Sequence, residues 1–291
     1  MTGQTVICAG HVNWDVTLYV DRLPAADGEA AIVNQSQNGG GSASNTAYML
    51  ASLGCAPVLL GSTGDDEYGA LVRNELTDVG VDCRHLEYVD DGITTVKYLI
   101  VDESGEVMVL ASDGANETFT SNSLSDDTFD SATHLHLTSQ RPDTAYDLAK
   151  RAVDAGIPVS FDPGRRLDLR EYQPIYRLAD ILFLNENEAT AVKQADVLDG
   201  AEGITVIKHG AEGATAESEE LTVSHAGYET EPVDTTGAGD AFGAGFIAAT
   251  LNDKPLERAL AVGNACGALT TQCSGARSPL SWSDIESLID G

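Results

Sequence analysis

The chain has 291 residues, of which 42% are hydrophobic, and 46 acidic against 16 basic residues give it a net charge of −30. This charge argues against nucleic acid and anionic membranes as partners, because proteins bind both through lysine and arginine. The sequence shows no membrane-spanning apolar run and no signal peptide, and its five scattered cysteines without a CxxC motif predict buried thiols in a reducing cytoplasm.

The acidic residues are spread along the chain and are not gathered into a tail. Such a composition is typical of halophilic proteins, whose solvated acidic surface keeps them soluble in strong salt. A surface for basic protein partners is the alternative interpretation. If the halophilic interpretation is right, we expect the fold to weaken at low salt, where the repulsion between like charges is no longer screened.

The first part of the chain predicts strands and helices followed by a hairpin. TVICAG (5–10) is predicted as a buried strand, and the polar HVNWD stands at its carboxyl end. SASNTAYMLASLG predicts a short helix that ends at Gly54, and DDEYGALVRNELTDVG has helical apolar spacing with Asp65 or Asp66 near its N-cap. Residues 94–112 alternate around a polar turn that contains Gly105, which predicts an antiparallel hairpin.

From about residue 133 the pattern alternates between strand and helix with short connections. This alternation is typical of an α/β fold with a doubly wound, mostly parallel central sheet flanked by helices, and we predict one domain over residues 1–291. Ligands bind at the carboxyl ends of the strands in such sheets. Polar clusters at 162–166, 185–188 and 208–210 fall at those ends.

The stretch PVDTTGAGDAFGAGF (232–246) places bare backbone at the start of an apolar helix. Backbone N–H groups around Gly237, Ala238 and Gly239 could approach an anion closely, and the helix start favours negative charge there. Asp240 follows at once and could accept a proton from an attacking hydroxyl. A glycine-rich helix start that only packs tightly is the alternative. There is no GK[ST] P-loop and no dinucleotide-binding fingerprint.

This stretch resembles the second signature of the PfkB (ribokinase-like) carbohydrate kinases. Residues 38–54 resemble the first signature of the same family, a diglycine followed by Asn at a helix start. Residues 61–82 are similar to its GDDxxGxxxxxxLxxxGVD block, NENE to its Asn-x-x-Glu motif, and VIKHGAEGA to its strand followed by GxxG. The resemblance extends over essentially the whole chain and implies a ribokinase-like fold with a small β-sheet lid.

The resemblance also implies an enzyme that transfers the γ-phosphate of ATP to a sugar hydroxymethyl group with Mg²⁺. In it, Asp240 is the catalytic base and Gly237, Ala238 and Gly239 form the anion hole. Asn185 and Glu188 belong to the Mg²⁺–phosphate network, with Glu188 acting through water. The remaining implied contacts are Lys208, Gly210, Gly213 and Asn264 for the nucleotide and Asp234 and Thr236 for a K⁺ ion.

On the acceptor side, the resemblance assigns Asn13 and Asp15 to the sugar hydroxyls. It assigns Gly40, Gly41 and Asn45 to the floor beneath the sugar. The lid would comprise roughly residues 12–34 and 93–118 and would clasp a second subunit, which predicts a homodimer.

The acceptor itself stays open at this point. The scarce basic residues near predicted strand ends are Lys97, Arg141, Arg165 and Arg166. They favour an anionic acceptor, such as ribose 1-phosphate or a 2-keto-3-deoxy sugar acid. If they only pair with the abundant acids, a neutral sugar (ribose or fructose) or a nucleoside remains. The segment DPGRR also departs from the family's DPNxR, because Gly164 stands in place of the Asn. Outside the enzymes, the alternative is a catalytically silent protein that senses a sugar.

Overall fold

Two sheets with different roles form the frame of the protein. The computed structural model describes residues 3–104, 106–198 and 201–291, so Gly105 of the predicted hairpin turn lies outside the described residues. Within them the strands are β1 (Thr5–Ala9), β2 (Asn13–Val20), β3 (Ile32–Gly40), β4 (Ala56–Gly64), β5 (Leu86–Val89), β6 (Val96–Asp102), β7 (Val107–Ala111), β8 (His134–Thr138), β9 (Val159–Asp162), β10 (Ile181–Asn185), β11 (Ile204–Lys208), β12 (Ala214–Glu217) and β13 (Thr222–His225).

The described strands form a nine-stranded central sheet in the order β13-β12-β11-β10-β9-β8-β1-β4-β5. Its pairings are parallel except at one edge, where β12 runs antiparallel to both β11 and β13. The chain winds from β1 to β4 on one side and later returns to β8 on the other. The point where the strand order reverses is therefore next to β1, which is where such sheets bind ligands.

Helices cover both faces of this sheet, as the sequence predicts. They are α1 (Ser42–Ser52), α2 (Glu67–Asp78), α3 (Asp126–Asp130), α4 (Pro142–Ala155), α5 (Gln173–Tyr176), α6 (Glu186–Gln194), α7 (Ala238–Leu251), α8 (Leu256–Thr271) and α9 (Trp282–Asp290). Within β1, Val6 and Cys8 pack against the core that contains α1, α2, α7, α8 and α9. Ile7 and Ala9 pack against the core that contains α3 to α6. Each face of the sheet thus has its own hydrophobic core.

The predicted boundaries of α2 follow from local chemistry. Asp66 is its N-cap, and the Asp66 carboxylate accepts a hydrogen bond from the N–H of Gly69 at 2.9 Å. The same carboxylate accepts the N–H of Thr94 at 2.8 Å, so it ties the start of the helix to the segment that leads into β6. None of the helices in the described ranges has the length and apolarity that crossing a membrane requires.

A second sheet of four strands, in the order β3-β2-β6-β7, stands beside the central sheet and is called the lid below. Its β6 and β7 pair antiparallel, which confirms the predicted hairpin, and β2 lies parallel to β6 and antiparallel to β3. The first segment of the lid was predicted to end near residue 34, but strand β3 continues to Gly40. The lid therefore ends just before α1, which begins at Ser42. The polar sequence NQSQNGG gave no apolar period from which this extension could be predicted.

Candidate active site

Helix α7 begins in a conformation that needs glycine. Gly237, just before the helix, has a φ of 76°, and a Cβ there would lie 2.6 Å from the carbonyl oxygen of Ala276. The N–H groups of the first turn of α7 lack intrahelical partners and carry the positive end of the helix dipole. The N–H of Ala238 donates to the carbonyl of Thr235 at 3.3 Å. The arrangement suits an anion, and the roles of Gly237, Ala238 and Gly239 in holding it stay a prediction.

Asp240 lies in the first turn of α7, close to α1. Its Oδ2 accepts a hydrogen bond from Asn45 Nδ2 at 2.8 Å. Burial raises the pKa of Asp240, and the nearby Asp162 raises it further, while the bond from Asn45 and the charge of Lys208 act in the opposite direction. A carboxylate held in this way can take a proton from a bound hydroxyl group.

Lys208 and Asp162 form an ion pair where β11 and β9 end. Lys208 Nζ lies 2.6 Å from Asp162 Oδ2, and both side chains are largely buried. Burial alone would lower the pKa of Lys208, but the charge of Asp162 raises it above its ordinary value. Lys208 therefore stays protonated beside the start of α7, where it can offset negative charge on a ligand.

Asn185 and Glu188 form a reciprocal capping box at the start of α6. Glu188 Oε2 accepts the N–H of Asn185 at 2.8 Å, and Asn185 Oδ1 accepts the N–H of Glu188 at 2.9 Å. Burial and the nearby Asp162 raise the pKa of Glu188, whereas Lys208 and Arg165 lower it. The pair thus has a clear structural role, and its predicted part in a Mg²⁺–phosphate network remains untested.

A large pocket of about 950 Å³ opens from the start of α7 along α8. All four residues predicted for the nucleotide line it, namely Lys208, Gly210, Gly213 and Asn264. The side chain of Asn264 also contacts His225 Nδ1 at 3.0 Å. Its volume is in the range of small-molecule sites, and Ala238 and Gly239 line it, so it has room for a nucleoside triphosphate with its phosphates at the helix start. This pocket is called the nucleotide pocket below.

Asp15 sits on the lid directly above the diglycine. In the pairing of β2 with β6, Asp15 stands opposite Lys97, so both side chains lie on the same face of the lid. A Cβ on Gly40 would lie 2.2 Å from Asp15 Oδ2, and one on Gly41 (φ 99°) would lie 2.4 Å from the carbonyl oxygen of His11. Asp15 Oδ1 is buried and has no hydrogen-bond partner in the described part of the chain. A bound sugar hydroxyl could satisfy this oxygen.

Next to Asp15 and Asn13 is a smaller pocket of about 230 Å³. This pocket, the acceptor pocket below, is lined by His11, Asn13, Thr95, Lys97, Ala111, Ser112, Asp113, Asn116, Glu117 and Arg166. The side-chain amide of Asn13 lies 2.8 Å from Lys97 Nζ, which places the amide oxygen on the lysine side. Over the described ranges, no carboxylate oxygen lies within 4.0 Å of Lys97 Nζ.

Glu117 organises the other charges of the acceptor pocket. Its carboxylate contacts His11 Nε2 closely and lies 2.9 Å from Arg170 Nη2 and 3.7 Å from Arg166 Nη1. Glu117 also has a φ of 68°, a strained conformation for a residue with a side chain. The side-chain partner of His11 is therefore this carboxylate. Glu117 could not be predicted as a site residue, because the residues around it belong to none of the motifs found in the sequence.

The four predicted basic residues are separated. Lys97 and Arg166 line the acceptor pocket, whereas Arg165 acts on Glu188 and does not line it. Residues 164–169 form a 3₁₀ turn, in which consecutive side chains point about 120° apart, so Arg165 and Arg166 diverge. Arg141 is exposed and paired with Asp143 at the start of α4, outside the lining of both pockets. Its placement in an acceptor site is therefore not supported, since a local carboxylate already holds it.

Gly164 has a φ of 62°. Glycine and asparagine are the residues that most readily adopt this left-handed conformation, so the departure from the family's DPNxR keeps the backbone geometry. Asp234 ties two loops together, because its oxygens accept the N–H groups of Thr236 and Gly275, each at 2.9 Å. The K⁺ site predicted at Asp234 and Thr236 stays a prediction.

One buried residue that the sequence analysis missed is Arg277. Its guanidinium group lies between α1, α2 and the diglycine end of β3, with 2% of the side chain exposed. Burial lowers its pKa, and the charge of Glu75 opposes that shift. The only sequence signal was a single arginine in GARS near the end of an arginine-poor chain.

The chain is similar to known proteins in both sequence and fold. Residues 4–283 match the profile of the pfkB family carbohydrate kinases. The ATP-dependent ribose-1-phosphate kinase of the haloarchaeon Halopiger xanaduensis is 50% identical over 277 residues, which cover 94% of each chain. The Arabidopsis thaliana ribokinase, solved with ribose and ATP, superposes over 100% of both chains with a TM-score of 0.87 at 24% identity. An E. coli ribokinase II, solved with ATP and Mg²⁺, superposes over 99% of both with a TM-score of 0.83 at 22% identity.

Proposed function

The chain belongs to the pfkB family of carbohydrate kinases, and we propose that its acceptor is an anionic sugar, ribose 1-phosphate. The observation that carries the proposal is Lys97, which faces the acceptor pocket with no carboxylate within 4.0 Å in the described part of a chain that has 46 acidic residues. A lysine left unpaired in so acidic a protein is available for an anionic ligand.

Arg166 also lines the acceptor pocket, and its contacts there favour the same kind of acceptor. Its contacts are long, at 3.4 Å to the exposed Asp113 and 3.7 Å to Glu117. An arginine held this loosely can turn its planar group toward a phosphate and bind it through two hydrogen bonds. The 50% identity to a ribose-1-phosphate kinase supports the same acceptor.

Ribose 1-phosphate would lie with its hydroxyl groups on Asp15 and Asn13 and its phosphate between Lys97 and Arg166. Asp15 Oδ1, the buried oxygen without a partner, would accept a ring hydroxyl. The hydroxymethyl group would point toward Asp240. The charge of Lys97 acts on both Asp15 and Asp240, which supports an acceptor that reaches from one to the other.

In the transfer step, the hydroxymethyl oxygen attacks the γ-phosphorus as the bond from that phosphorus to the β–γ bridging oxygen breaks. Asp240 accepts the hydroxyl proton, ADP leaves, and the product carries phosphate at both ends of the sugar. The N–H groups at the start of α7 and the ammonium group of Lys208 stabilise the charge on the transferring group.

Mg²⁺ bound with ATP would neutralise phosphate charge. Glu188 fits a place in its water shell, since it is a buried carboxylate on whose charge Asp162 and Lys208 act, and Lys208 lines the nucleotide pocket. The K⁺ ion is proposed at Asp234 and Thr236, where it would stiffen the loop before α7. Equal activity in K⁺ and in large organic cations at matched ionic strength would remove this part of the proposal.

The lid supports a homodimer. The lid face that carries Asp15 and Lys97 becomes apolar further along β6 and β7. There Leu99 pairs with Val109, and Val101 pairs with Val107. Val107 and Val109 are 53% and 46% exposed. A second lid would cover this apolar face. Five free cysteines and dependence on ATP support a cytoplasmic location.

The test is an acceptor screen with the full chain in molar KCl with Mg²⁺ and ATP. ATP consumption is measured with ribose 1-phosphate, a 2-keto-3-deoxy sugar acid, ribose, fructose and nucleosides, with Asp240→Asn as the control. Turnover with ribose 1-phosphate and far less with ribose supports the proposal. Preferred turnover with ribose, fructose or a nucleoside overturns the anionic acceptor. Sugar binding without turnover in the unaltered chain identifies a sensor instead.

A further inference from the structure

Arg277 connects three elements around the acceptor floor. Its Nη1 lies 3.0 Å from Glu75 Oε2 of α2, an ion pair without the alignment of a hydrogen bond. Its Nη2 donates to Ser44 Oγ at 2.8 Å and to the carbonyl of Gly40 at 3.3 Å. Its Nε donates to Asn45 Oδ1 at 3.2 Å. The guanidinium therefore touches the same asparagine that donates to Asp240.

The direction of each hydrogen bond follows from the chemistry of the groups. A guanidinium has donors and no acceptor, so the Asn45 amide must turn its oxygen toward Arg277. The amide NH₂ group then points the other way, toward Asp240, and donates to Oδ2 at 2.8 Å. If Arg277 were absent, the Asn45 side chain would lose the partner of its oxygen and could rotate away from the carboxylate. Arg277 thus holds the Asn45 amide in the orientation that donates to Asp240.

The backbone makes room for this arrangement. A Cβ on Gly39 would lie 2.0 Å from Arg277 Nη1 and 2.4 Å from Glu75 Oε2. The ion pair therefore requires glycine at position 39. A buried arginine is costly unless its charge and donors find partners; here Nε and Nη2 donate to α1 and β3, and the Glu75 carboxylate of α2 faces Nη1.

We propose that Arg277 is a positioning residue for catalysis, which fixes the Asn45 amide so that it donates to Asp240 and keeps this carboxylate aimed at the acceptor hydroxyl. The proposal rests on Asp240 being the base of the proposed function. Its effect passes through one amide, so it depends on Asn45 and not on direct contact of Arg277 with substrate.

The expected signature is in the pH dependence of kcat. Other charged groups act on Asp240, chiefly Asp162, Lys208 and Lys97, and substitution of Arg277 leaves them in place. Asp15 is coupled to both Asp240 and Arg277, and the comparison with Asn45→Ala separates its contribution, because that variant keeps the charge of Arg277. The Asn45 bond lowers the pKa of Asp240, so its loss raises that pKa. The acid side of the kcat profile then moves to higher pH, because the base must be ionised to take the proton.

The test compares Arg277→Met, Arg277→Lys, Asn45→Ala and the double variant Arg277→Met/Asn45→Ala. Arg277→Lys retains a charge for Glu75 but lacks the planar group that also reaches Asn45, so it serves if the Met variant folds poorly. Arg258→Met is the matched control, because Arg258 pairs with Glu286 between α8 and α9, away from the acceptor. Folding of each variant is checked by thermal melting, and kcat and KM are measured across pH.

We expect Arg277→Met, or Arg277→Lys, to lower kcat at neutral pH roughly 10-fold or more, as for loss of one hydrogen bond to a charged group. The KM for ATP should change little. In the Asn45→Ala background, the Arg277 substitution should add almost nothing to the shift in the pH profile.

Folded Arg277 variants with an unchanged kcat profile would overturn the proposal, and so would effects of Arg277 and Asn45 that simply add. A failure of the proposed function looks different. In that case Asp240→Asn itself retains turnover.

Discussion

The two halves of the candidate active site, the nucleotide side and the acceptor side, are built from different parts of the protein. The nucleotide side uses backbone at the start of α7 and one buried ion pair, and the groups that would hold phosphate come from a few consecutive residues, 237–240. The acceptor side uses side chains from distant parts of the chain, among them His11, Lys97, Arg166 and Arg277. In a protein of net charge −30, backbone N–H groups supply positive potential that side chains mostly cannot.

The largest expected effect lies at the junction of the two halves. Asp240→Asn should lower kcat by roughly 10² to 10⁴-fold, the usual loss for a general base, because the amide cannot take up the hydroxyl proton. Turnover is measured with saturating ATP and acceptor, and thermal melting checks the fold. Near-normal turnover would show that the base has been assigned to the wrong residue.

A single methyl group added at Gly237 should disrupt the nucleotide side of the site. Gly237→Ala should lower kcat by about 10² to 10³-fold, the range for losing an anion-hole donor, because the new Cβ would collide with the Ala276 carbonyl and shift the helix start. Gly243→Ala is the matched control in the same helix, since its Cβ would meet no atom of the described residues within 4 Å other than the nearby backbone of its own helix and its chain neighbours. The control should be as active as the parent and slightly more stable. Equal activity of both variants would mean that the start of α7 holds no phosphate.

The side-chain half should respond in KM for the acceptor. Lys97→Met and Arg166→Met should each raise the KM for ribose 1-phosphate by about 10- to 100-fold, the value of a hydrogen bond to a charged group, with little change in the KM for ATP. The exposed, locally paired residues in Lys150→Met and Arg84→Met are the controls. If Lys97→Met and its control give the same KM, the phosphate of the acceptor does not lie in this pocket.

The melting temperature should show that the ionised carboxylate of Asp240 destabilises the folded protein. The folded pKa of Asp240 lies above its ordinary value of 3.8, so its charged form destabilises the folded state at neutral pH. Asp240→Asn should therefore melt at a higher temperature at pH 7. This gain should shrink as the pH falls through the raised folded pKa and vanish below the ordinary value. A variant that is less stable at neutral pH would contradict the raised pKa.

The smallest expected effect is that of salt on the melting temperature, and it should be the same for variants on the nucleotide side and on the acceptor side. Dilution from about 1 M to about 0.1 M KCl lengthens the screening distance from about 3 Å to about 10 Å, so the acidic surface repels itself more strongly. We expect a lower melting temperature at low salt for the parent and for every variant above. Melting that is independent of salt would contradict the halophilic interpretation of the composition.

The same contrast explains what could be predicted from the sequence. The doubly wound sheet, the hairpin and the start of α7 were predictable, because periodicity and glycine act locally. Of the four basic residues predicted for the acceptor, Lys97 and Arg166 line the acceptor pocket, whereas Arg141 and Arg165 do not. A basic residue near a strand end carries no information about which way its side chain turns. Glu117 and Arg277 were missed because their roles arise from contacts across more than 100 and 200 residues of chain.

The pairing of Asp15 with Lys97 makes the lid sensitive to insertions and deletions in a position-dependent way. One residue inserted before Asp15 would exchange the faces of β2, so that an apolar neighbour such as Trp14 would look into the acceptor pocket. The register irregularity between β2 and β3 stands further out, at Tyr19 and Val20, where an extra residue leaves the inner pairs unchanged. Length variation among relatives of this enzyme should therefore concentrate beyond that irregularity, and the inner segment of β2 should keep a constant length.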